Sequence, residues 1–270
     1  MNIVLWCGSE PNQQALAHKL HQEFSLAGIV MEKRTSARKL TPKMIFEKLL
    51  EKICIPSLDN AWKNMMEEYR NAFLGFPAVR IITVENINSH EAFRFTEKLM
   101  PDVILVSGTR LVKGKMLSLN PRIVILNLHT GLSPYIKGGP NCTNWCLATY
   151  QFHLIGNTVM WIDNGIDSGN ILTSEFTPLT GEESLAQLHL KVMNHAHDLY
   201  VRAVRFLAEG KHQNFPQKEI AGGTTFYTRN WTLKQKMNAV KNFKSFRDFF
   251  KSGNAEAERN KGNFVEIKLP

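Results

Sequence analysis

Two side chains able to donate hydrogen bonds lie two positions apart at the end of an apolar run, ILNLHTGLSP, residues 125–134. Side chains alternate across a strand, so Asn127 and His129 face the same side where the strand leaves its sheet. An amide and an imidazole placed together can bind a substrate. They could equally do no more than satisfy loose backbone groups at a strand end. The three-residue pattern alone leaves both interpretations open.

A second polar segment, TVMWIDNGIDSGN at residues 158–170, is typical of a strand followed by an acidic loop that contains glycine. Its two aspartates, Asp163 and Asp167, are also common turn formers. Taken without the rest of the sequence, they predict a turn and no more.

The elements that position these side chains can be predicted from hydrophobic periodicity. Apolar runs alternate with helical patterns, and the predicted strands of the first half cover residues 2–6, 28–31, 79–84, 102–106 and 123–128. Continuous apolar strands separated by helices favour a mainly parallel sheet covered on both faces, which is a Rossmann-like, doubly wound α/β fold. Ligands bind such sheets outside the carboxyl ends of the strands, where Asn127 and His129 are expected.

The remaining elements define the domain organisation. Helices are predicted at residues 13–24, 88–100, 139–150 and 184–208, and further strands at 158–162 and 171–176. Two helical patterns between Arg38 and Gly75 interrupt the α/β rhythm and form a helical insertion. We expect a catalytic domain over residues 1–210 and a short C-terminal α/β extension over 211–270, in which a strand pair or loop leads into basic helices.

Composition narrows the class of protein. The chain has 270 residues, 43% of them hydrophobic, and a formal net charge of +9, so one large globular domain is expected. The basic stretches at 33–52 and 229–251 are explained by solvated helix faces or by an anionic ligand. No apolar run reaches the roughly 20 residues of a membrane span. Four scattered cysteines favour neither a disulfide framework nor a metal site. We expect a cytoplasmic protein without membrane insertion.

The two polar segments taken together, NLHTGLSPYIKGG and TVMWIDNGIDSGNI, resemble the formyltransferase family that uses 10-formyltetrahydrofolate. The family pattern is Asn-x-His, a loop ending in proline, a strand, and an Asp-x-Gly turn. The likeness covers roughly residues 1–30 and 79–208. It implies that Asn127, His129 and Asp167 are the catalytic residues and that 10-formyltetrahydrofolate is the formyl donor.

The chemistry of formyl transfer agrees with this resemblance. Attack of an amine on the formyl group gives a tetrahedral intermediate with a negative oxygen, on which Asn127 and His129 can converge as donors. A carboxylate at Asp167 would favour the imidazolium and assist proton transfer. No covalent enzyme intermediate is required.

The resemblance also implies where the pterin of the donor would bind. Two loops are involved, one after the strand that precedes the Asn-x-His strand and one before the catalytic aspartate. The corresponding residues are Gly108, Arg110, Leu111, Val112, Asp163, Asn164 and Ile166. Leu111 and Val112 could instead be ordinary core residues.

The loop after the first strand bears on which amine accepts the formyl group. Glycinamide ribonucleotide formyltransferases bind a phosphate there, whereas this chain has Glu10, which repels an anion, and Pro11, which lacks a backbone N–H. Methionyl-tRNA formyltransferases carry a larger C-terminal barrel, for which the residues after 208 are expected to be too few.

The loop HTGLSPY, residues 129–135, resembles the branch of the family that formylates amino sugars linked to dTDP, UDP or GDP. Thr130, Gly131, Tyr135 and Lys137 are the predicted substrate contacts, with the tyrosine hydroxyl and the lysine cation facing sugar hydroxyls or a diphosphate. The alternatives are an aminoacyl-tRNA, a carrier-bound amino acid, glycinamide ribonucleotide, or a non-catalytic nucleotide- or folate-binding module. Binding of nucleic acid is not expected. Apolar residues within 223–250 suggest a homodimer.

Overall fold

The computed structural model describes residues 1–34, 41–42, 49–53, 55–119 and 124–270. The strands are β1 (Ile3–Gly8), β2 (Gly28–Glu32), β3 (Ile81–Val84), β4 (Val103–Ser107), β5 (Val124–His129), β6 (Ile136–Gly138), β7 (Gly156–Trp161), β8 (Ile171–Phe176) and β9 (Thr224–Phe226). The helices used below are α1 (Pro11–Phe24), α2 (Pro56–Ala72), α3 (His90–Lys98), α4 (Cys142–Ala148), α5 (Leu185–Ala208), α6 (Gln217–Ile220), α7 (Leu233–Phe243), α8 (Phe246–Lys251) and α9 (Asn254–Lys261).

The main sheet has seven strands in the order β3-β2-β1-β4-β5-β7-β8. Strands β1 to β5 pair in parallel, whereas β7 and β8 are antiparallel to their neighbours. Every residue of β1 and of β4 is buried, as expected for strands covered by helices on both faces. The predicted mainly parallel, doubly wound α/β fold is therefore confirmed.

Helix α5 aligns the strands that carry the site. Its first turn has a capping box, in which the Ser184 hydroxyl accepts from the backbone N–H of Gln187 and the Gln187 side chain accepts in return from Ser184. Further along, the buried Tyr200 hydroxyl donates to the carbonyl of Leu126 at 2.7 Å and accepts from the N–H of Val106 at 2.9 Å. One hydroxyl thus links β4 to β5 near their carboxyl ends.

The second of the two predicted helical patterns in the insertion is helix α2. The first falls largely on residues 35–40, 43–48 and 54, which lie outside the described residues. Helix α2 packs its buried Met65 and Tyr69 against α1 and α5, and the Tyr69 hydroxyl donates to Asn194 Oδ1 at 2.8 Å. The part of the insertion that is described is therefore joined to the main body of the protein.

The C-terminal segment is joined to the same body by a strand and by aromatic packing. Strand β9 pairs in parallel with β6, and Phe246 and Phe249 pack edge to face against the fully buried Phe152. Phe226 and Trp231 pack on Trp145, with ring centroids 4.4 and 4.8 Å away. These two rings anchor the segment to α4, because both pack on Trp145.

Among the described residues, no helix combines the length and hydropathy that a bilayer crossing requires. The same residues contain no group of three or more His, Cys, Asp or Glu side chains arranged to hold a metal ion.

An ion-pair network between β8 and α5 makes stability depend on pH. Burial disfavours the charged form of Glu175, but hydrogen bonds from Arg202 and His195 outweigh it and lower the pKa of Glu175 to about 2. Because the pKa of Glu175 is lower in the folded protein than in the unfolded chain, its carboxylate stabilises the fold at a pH above the unfolded pKa of 4.5. This contribution is lost as the pH falls from 4.5 towards 2.

We expect Glu175→Gln to lower the free energy of unfolding by about 1–3 kcal/mol at pH 7. In denaturant titrations that difference should shrink steadily between pH 5 and pH 3, and a constant difference would contradict the assignment.

Candidate active site

The structure brings the three predicted catalytic side chains into contact. Asn127 and His129 are the last polar residues of β5, and Asp167 lies in the loop between β7 and β8. Asn127 Nδ2 donates to Asp167 Oδ1 at 3.3 Å, and His129 Nδ1 lies 3.4 Å from Asp167 Oδ2. The amide, the imidazole and the carboxylate therefore form one cluster at the carboxyl edge of the sheet. Their catalytic roles remain a prediction.

The loop that carries Asp167 is held by several contacts. Asp167 has φ of 48°, a left-handed conformation that aspartate tolerates better than most residues. Its Oδ2 accepts from the backbone N–H of Gly138 at 3.0 Å. Gln217 Nε2, from α6, donates to the carbonyls of Asp167 and Gly169 at 2.9 and 2.7 Å. Gly138 thus fixes the carboxylate of Asp167, and Gln217 fixes the backbone that carries it.

The imidazole of His129 is buried, with 8% of the residue exposed. Its Nε2 lies 3.3 Å from the carbonyl of Ile136 and 3.5 Å from Cys142 Sγ, opposite the nitrogen that faces Asp167. Both ring nitrogens therefore face an acceptor, and donation to both at once requires the doubly protonated ring. Burial raises the pKa of Cys142 well above its usual value, so this cysteine stays a neutral thiol and not a nucleophile.

Gly131 leaves the room that this imidazole occupies. A Cβ at position 131 would collide with His129 Nε2 and would stand 2.9 Å from Cys142 Sγ. We expect Gly131→Ala to displace the imidazole. Because the resemblance implies that His129 is catalytic, kcat should then fall about 100-fold, the usual cost of misplacing a catalytic group by about 1 Å. Steady-state kinetics with a formyl acceptor would measure the loss. Unchanged kcat in a variant with unchanged melting temperature would show that the observed His129 position is not the active one.

One cavity of about 330 Å³ opens beside the cluster, on the side of β4. It is lined by six of the seven predicted pterin contacts, namely Gly108, Arg110, Leu111, Val112, Asp163 and Ile166. The seventh, Asn164, is not among its lining residues. Asn127 and Asp167 are also among its lining residues. The two loops that were predicted to receive the pterin therefore face one another across a single space.

Glu32, at the end of β2, was not identified from the sequence. Its buried carboxylate accepts from the backbone N–H groups of Arg110 at 2.8 Å and Ile87 at 2.9 Å, and pairs with the side chains of Arg110 and Arg34 at 3.5 and 3.3 Å. It therefore fixes the loop that forms one wall of the cavity. An acidic residue closing an apolar strand was the available signal.

A second cavity, of about 430 Å³, also borders the cluster. Asn127 and Asp167 line both cavities, whereas His129 and the predicted contact Thr130 line the second. Trp62 and Met66 of α2 contribute to its wall, which places the described part of the insertion beside the site. Neither residue was identified from the sequence, because their distance along the chain gives no signal of proximity.

The other predicted substrate contacts are placed differently. Gly131 acts on His129, as described above, and Lys137 lines neither cavity. Tyr135 was expected to present its hydroxyl to the substrate, but only 5% of it is exposed. Its ring packs edge to face on Phe264 at 4.8 Å, and its hydroxyl accepts from the N–H of Val265 at 3.0 Å. The C-terminal segment therefore occupies the direction in which the tyrosine points.

Sequence comparison relates the chain to known proteins. The model of the family described as Formyl transferase matches residues 2–204. Methionyl-tRNA formyltransferase of Syntrophus aciditrophicus is 34% identical over 123 residues, 46% of this chain and 39% of the relative. The enzyme of the same name from Clostridium tetani is 29% identical over 49% of this chain and 42% of its own length. The matched segment thus spans about two fifths of these relatives.

Solved structures with the same fold include several formyltransferases. A sugar N-formyltransferase from a Shewanella species has a TM-score of 0.55 at 13% identity and covers 90% of this chain and 88% of its own. The N-formyltransferase of Helicobacter canadensis, solved with folinic acid and dTDP-3-aminofucose, gives 0.52 at 14% identity over 90% and 81%. Glycinamide ribonucleotide transformylase 1 of Symbiobacterium toebii gives 0.53 at 21% identity over 78% and 88%.

The structural likenesses concern the fold, since all three identities are low. The family match covers most of the chain and includes every residue of the Asn127, His129 and Asp167 cluster. The chain therefore belongs to the formyl transferase family.

Proposed function

We propose that this protein is an N-formyltransferase that moves a formyl group from 10-formyltetrahydrofolate to the primary amine of an amino sugar linked to a nucleoside diphosphate. The observation that carries the proposal is the position of the Asn127, His129 and Asp167 cluster, where two cavities meet. A donor in one cavity and an acceptor in the other would bring their reacting groups together at these side chains.

The first cavity fits the formyl donor that the family uses. It is bounded by backbone from the loops at 108–112 and 163–169, with apolar contacts from Leu111, Val112 and Met160. A flat heterocycle with polar edges suits walls of this kind, since apolar side chains cover its faces and backbone groups meet its edges. When bound there, 10-formyltetrahydrofolate would supply the formyl carbon next to Asn127 and Asp167, which line the same cavity.

Each residue of the cluster has a separate role in this proposal. Asn127 uses one N–H on Asp167 and retains a second for the formyl oxygen, on which negative charge develops. His129, when protonated, stabilises the same charge electrostatically, and it provides a proton for the departing nitrogen once its ring turns away from one of the two acceptors that it faces. Asp167 orients both side chains and accepts, directly or through a water, the proton that the amine loses.

Two observations support an amino sugar as the acceptor. The second cavity is lined mainly by polar side chains and holds the carboxylate of Glu10 where a phosphate-binding loop would need donors. Solved structures of the same fold include sugar N-formyltransferases. The sequence relatives are methionyl-tRNA formyltransferases, so an aminoacyl-tRNA is the principal rival acceptor.

We also propose that the protein is located in the cytoplasm and forms a homodimer.

The deciding experiment is a formyl-transfer assay with 10-formyltetrahydrofolate and a panel of acceptors. The panel contains dTDP-, UDP- and GDP-linked 3- and 4-amino sugars, glycinamide ribonucleotide, a carrier-bound amino acid and methionyl-tRNA. Turnover of a nucleotide-linked amino sugar that Asp167→Asn abolishes would support the proposal. Turnover restricted to tRNA, with binding that weakens steeply as salt rises, would replace the sugar by the rival acceptor.

A further inference from the structure

A third cavity, of about 430 Å³, adjoins the second. Trp62, Pro140 and Asn141 line both of them, so the two spaces are immediate neighbours. Among the described residues, none lines both the third cavity and the first, in which the formyl donor is proposed to bind. The third cavity therefore extends the space proposed for the acceptor and not the space proposed for the donor.

Three segments that are distant in the sequence form the walls of this cavity. Helix α2 of the insertion contributes Leu58 and Trp62, which are four positions apart and so lie on one face of the helix. Trp231, which precedes α7, contributes a second indole. Asn141 and Asn144 contribute amides at the start of α4, where the Asn141 side chain accepts from the backbone N–H of Asn144 at 3.0 Å. The cavity thus combines two indoles with hydrogen-bonding groups.

The two indoles are held by the protein but not covered by it. Trp231 packs edge to face on Trp145, with ring centroids 4.8 Å apart. Trp62 contacts the buried His189 ring edge to face at 5.9 Å, yet 37% of Trp62 remains exposed. An exposed indole that lines a cavity commonly marks a place where a ligand or a partner binds. The packing of both rings means that such a ligand would meet walls that are already in position.

The charges around the third cavity nearly balance. Lys236, which lines it, pairs with Glu51 at 2.6 Å. Asp59 and Lys63 line it as well and carry opposite charges. Binding that depends on phosphate needs a clear excess of positive charge. These walls therefore suit a neutral flat ring better than an anion, and a nucleobase is such a ring, with two faces that stack on aromatic side chains and with polar edges.

We infer that the third cavity binds the base of the nucleoside diphosphate that carries the amino sugar, with Trp62 and Trp231 as its aromatic walls. The inference rests on the proposed function, because it assigns the far end of the same acceptor. The amino sugar then lies in the second cavity beside the catalytic cluster, and the two phosphates lie where the cavities adjoin. The helical insertion acquires a function through α2, which supplies Trp62.

The test measures ligand binding and turnover with four proteins. The proteins are the wild type, Trp62→Ala, Trp62→Phe and Phe215→Ala, each with its melting temperature determined. Phe215→Ala is the matched control, because Phe215 is an exposed aromatic residue that lines none of the three cavities. Calorimetry measures the Kd of dTDP, UDP and GDP, and of folinic acid as a probe of the donor cavity. Turnover is measured with the best nucleotide-linked amino sugar and with the matching amino-sugar 1-phosphate, which has no base.

We expect at least one of the three nucleoside diphosphates to bind the wild type and to compete with the acceptor. Trp62→Ala should raise its Kd about tenfold, because one stacking contact with a base is lost, and Trp62→Phe should raise it less than about threefold. The KM of the nucleotide-linked acceptor should rise in parallel, with kcat changed less than about twofold.

The remaining measurements should show no change. The KM of the 1-phosphate should be the same for Trp62→Ala and the wild type, since this acceptor has no base to stack. Folinic acid should bind all four proteins equally, because Trp62 does not line the first cavity. Phe215→Ala should match the wild type in every binding and turnover measurement.

The outcomes separate this inference from the proposed function. If the wild type formylates the nucleotide-linked sugar but Trp62→Ala binds each nucleoside diphosphate as tightly as the wild type does, the inference is overturned and the proposed function stands. The same holds if Trp62→Ala raises the KM of both acceptors equally, or if it only converts a dimer into monomers, because a second copy would then cover the cavity. If a nucleoside diphosphate binds through Trp62 but no nucleotide-linked amino sugar is formylated, the base-binding cavity stands and the proposed acceptor is overturned.

Discussion

His129→Ala is expected to lower kcat about 1,000-fold while the formyl donor still binds. The imidazole faces Asp167 on one side and Ile136 and Cys142 on the other, and none of these three can take over its role as a cationic donor. Loss of a charge-stabilising donor and of a general acid costs about 10²–10⁴ in rate. The measurement is single-turnover formyl transfer at saturating donor and acceptor, with donor binding followed separately by fluorescence.

His90→Ala is the matched control for this variant. His90 is exposed at the start of α3 and lines neither cavity, so its loss should leave kcat within about twofold of the wild type. If a His129→Ala protein binds the donor, melts as the wild type does and retains more than about a tenth of the wild-type kcat, then His129 takes no part in the chemical step.

Asn127→Ala, tested in parallel, should lower kcat about 10²–10³-fold, because one hydrogen-bond donor to the formyl oxygen is lost.

Phe246→Ala is expected to lower the free energy of unfolding by about 3–5 kcal/mol, the usual cost of truncating a large aromatic side chain in a core. Phe246 is 1% exposed and contacts the rings of Phe152, Phe243 and Phe250. Its cluster contains residues of the central chain, such as Leu132 and Ile136, so the C-terminal segment should unfold together with the sheet. Denaturant titration followed by tryptophan fluorescence and circular dichroism would measure both effects.

The control for packing is Phe215→Ala, because Phe215 is 43% exposed. It should cost well under half as much as Phe246→Ala, since less apolar area leaves the solvent at that site. If Phe246→Ala unfolded in two separate steps, with the sheet retaining wild-type stability, the C-terminal segment would be an independent unit and the shared cluster would carry little energy.

The helices and strands that could be predicted are those whose local pattern of apolar and polar residues matches the burial of their side chains in the fold. Strand β8 and helix α5 were expected within a residue of where they lie, because a buried strand and a capped amphipathic helix have strong periodic signals. The pairing of Asn127 with His129 followed from strand alternation. Their contact with Asp167 followed only from the resemblance, because no local rule brings together side chains 40 residues apart.

The parts that could not be predicted depend on contacts between distant segments. Tyr135 has a hydroxyl suited to a substrate, but the packing of Phe264 and Val265 decides where it points. Trp62 reaches the second cavity only because α2 packs on α1 and α5. Glu32 is placed by backbone groups from two other loops. In each case the partner lies far along the chain, and hydrophobic periodicity contains no information about it.

The hydrogen bonds from Gln217 to the aspartate loop bear on how members of this family can diverge. The matched family region ends at residue 204, so a residue outside it helps to hold the loop that carries Asp167. Exchange of C-terminal segments between relatives by recombination would therefore alter the loop that carries Asp167 as well as the regions that the segments themselves contact. Chimaeras joined near residue 210 need a donor segment that supplies an equivalent amide, and one that lacks it would inherit a loosened Asp167 loop.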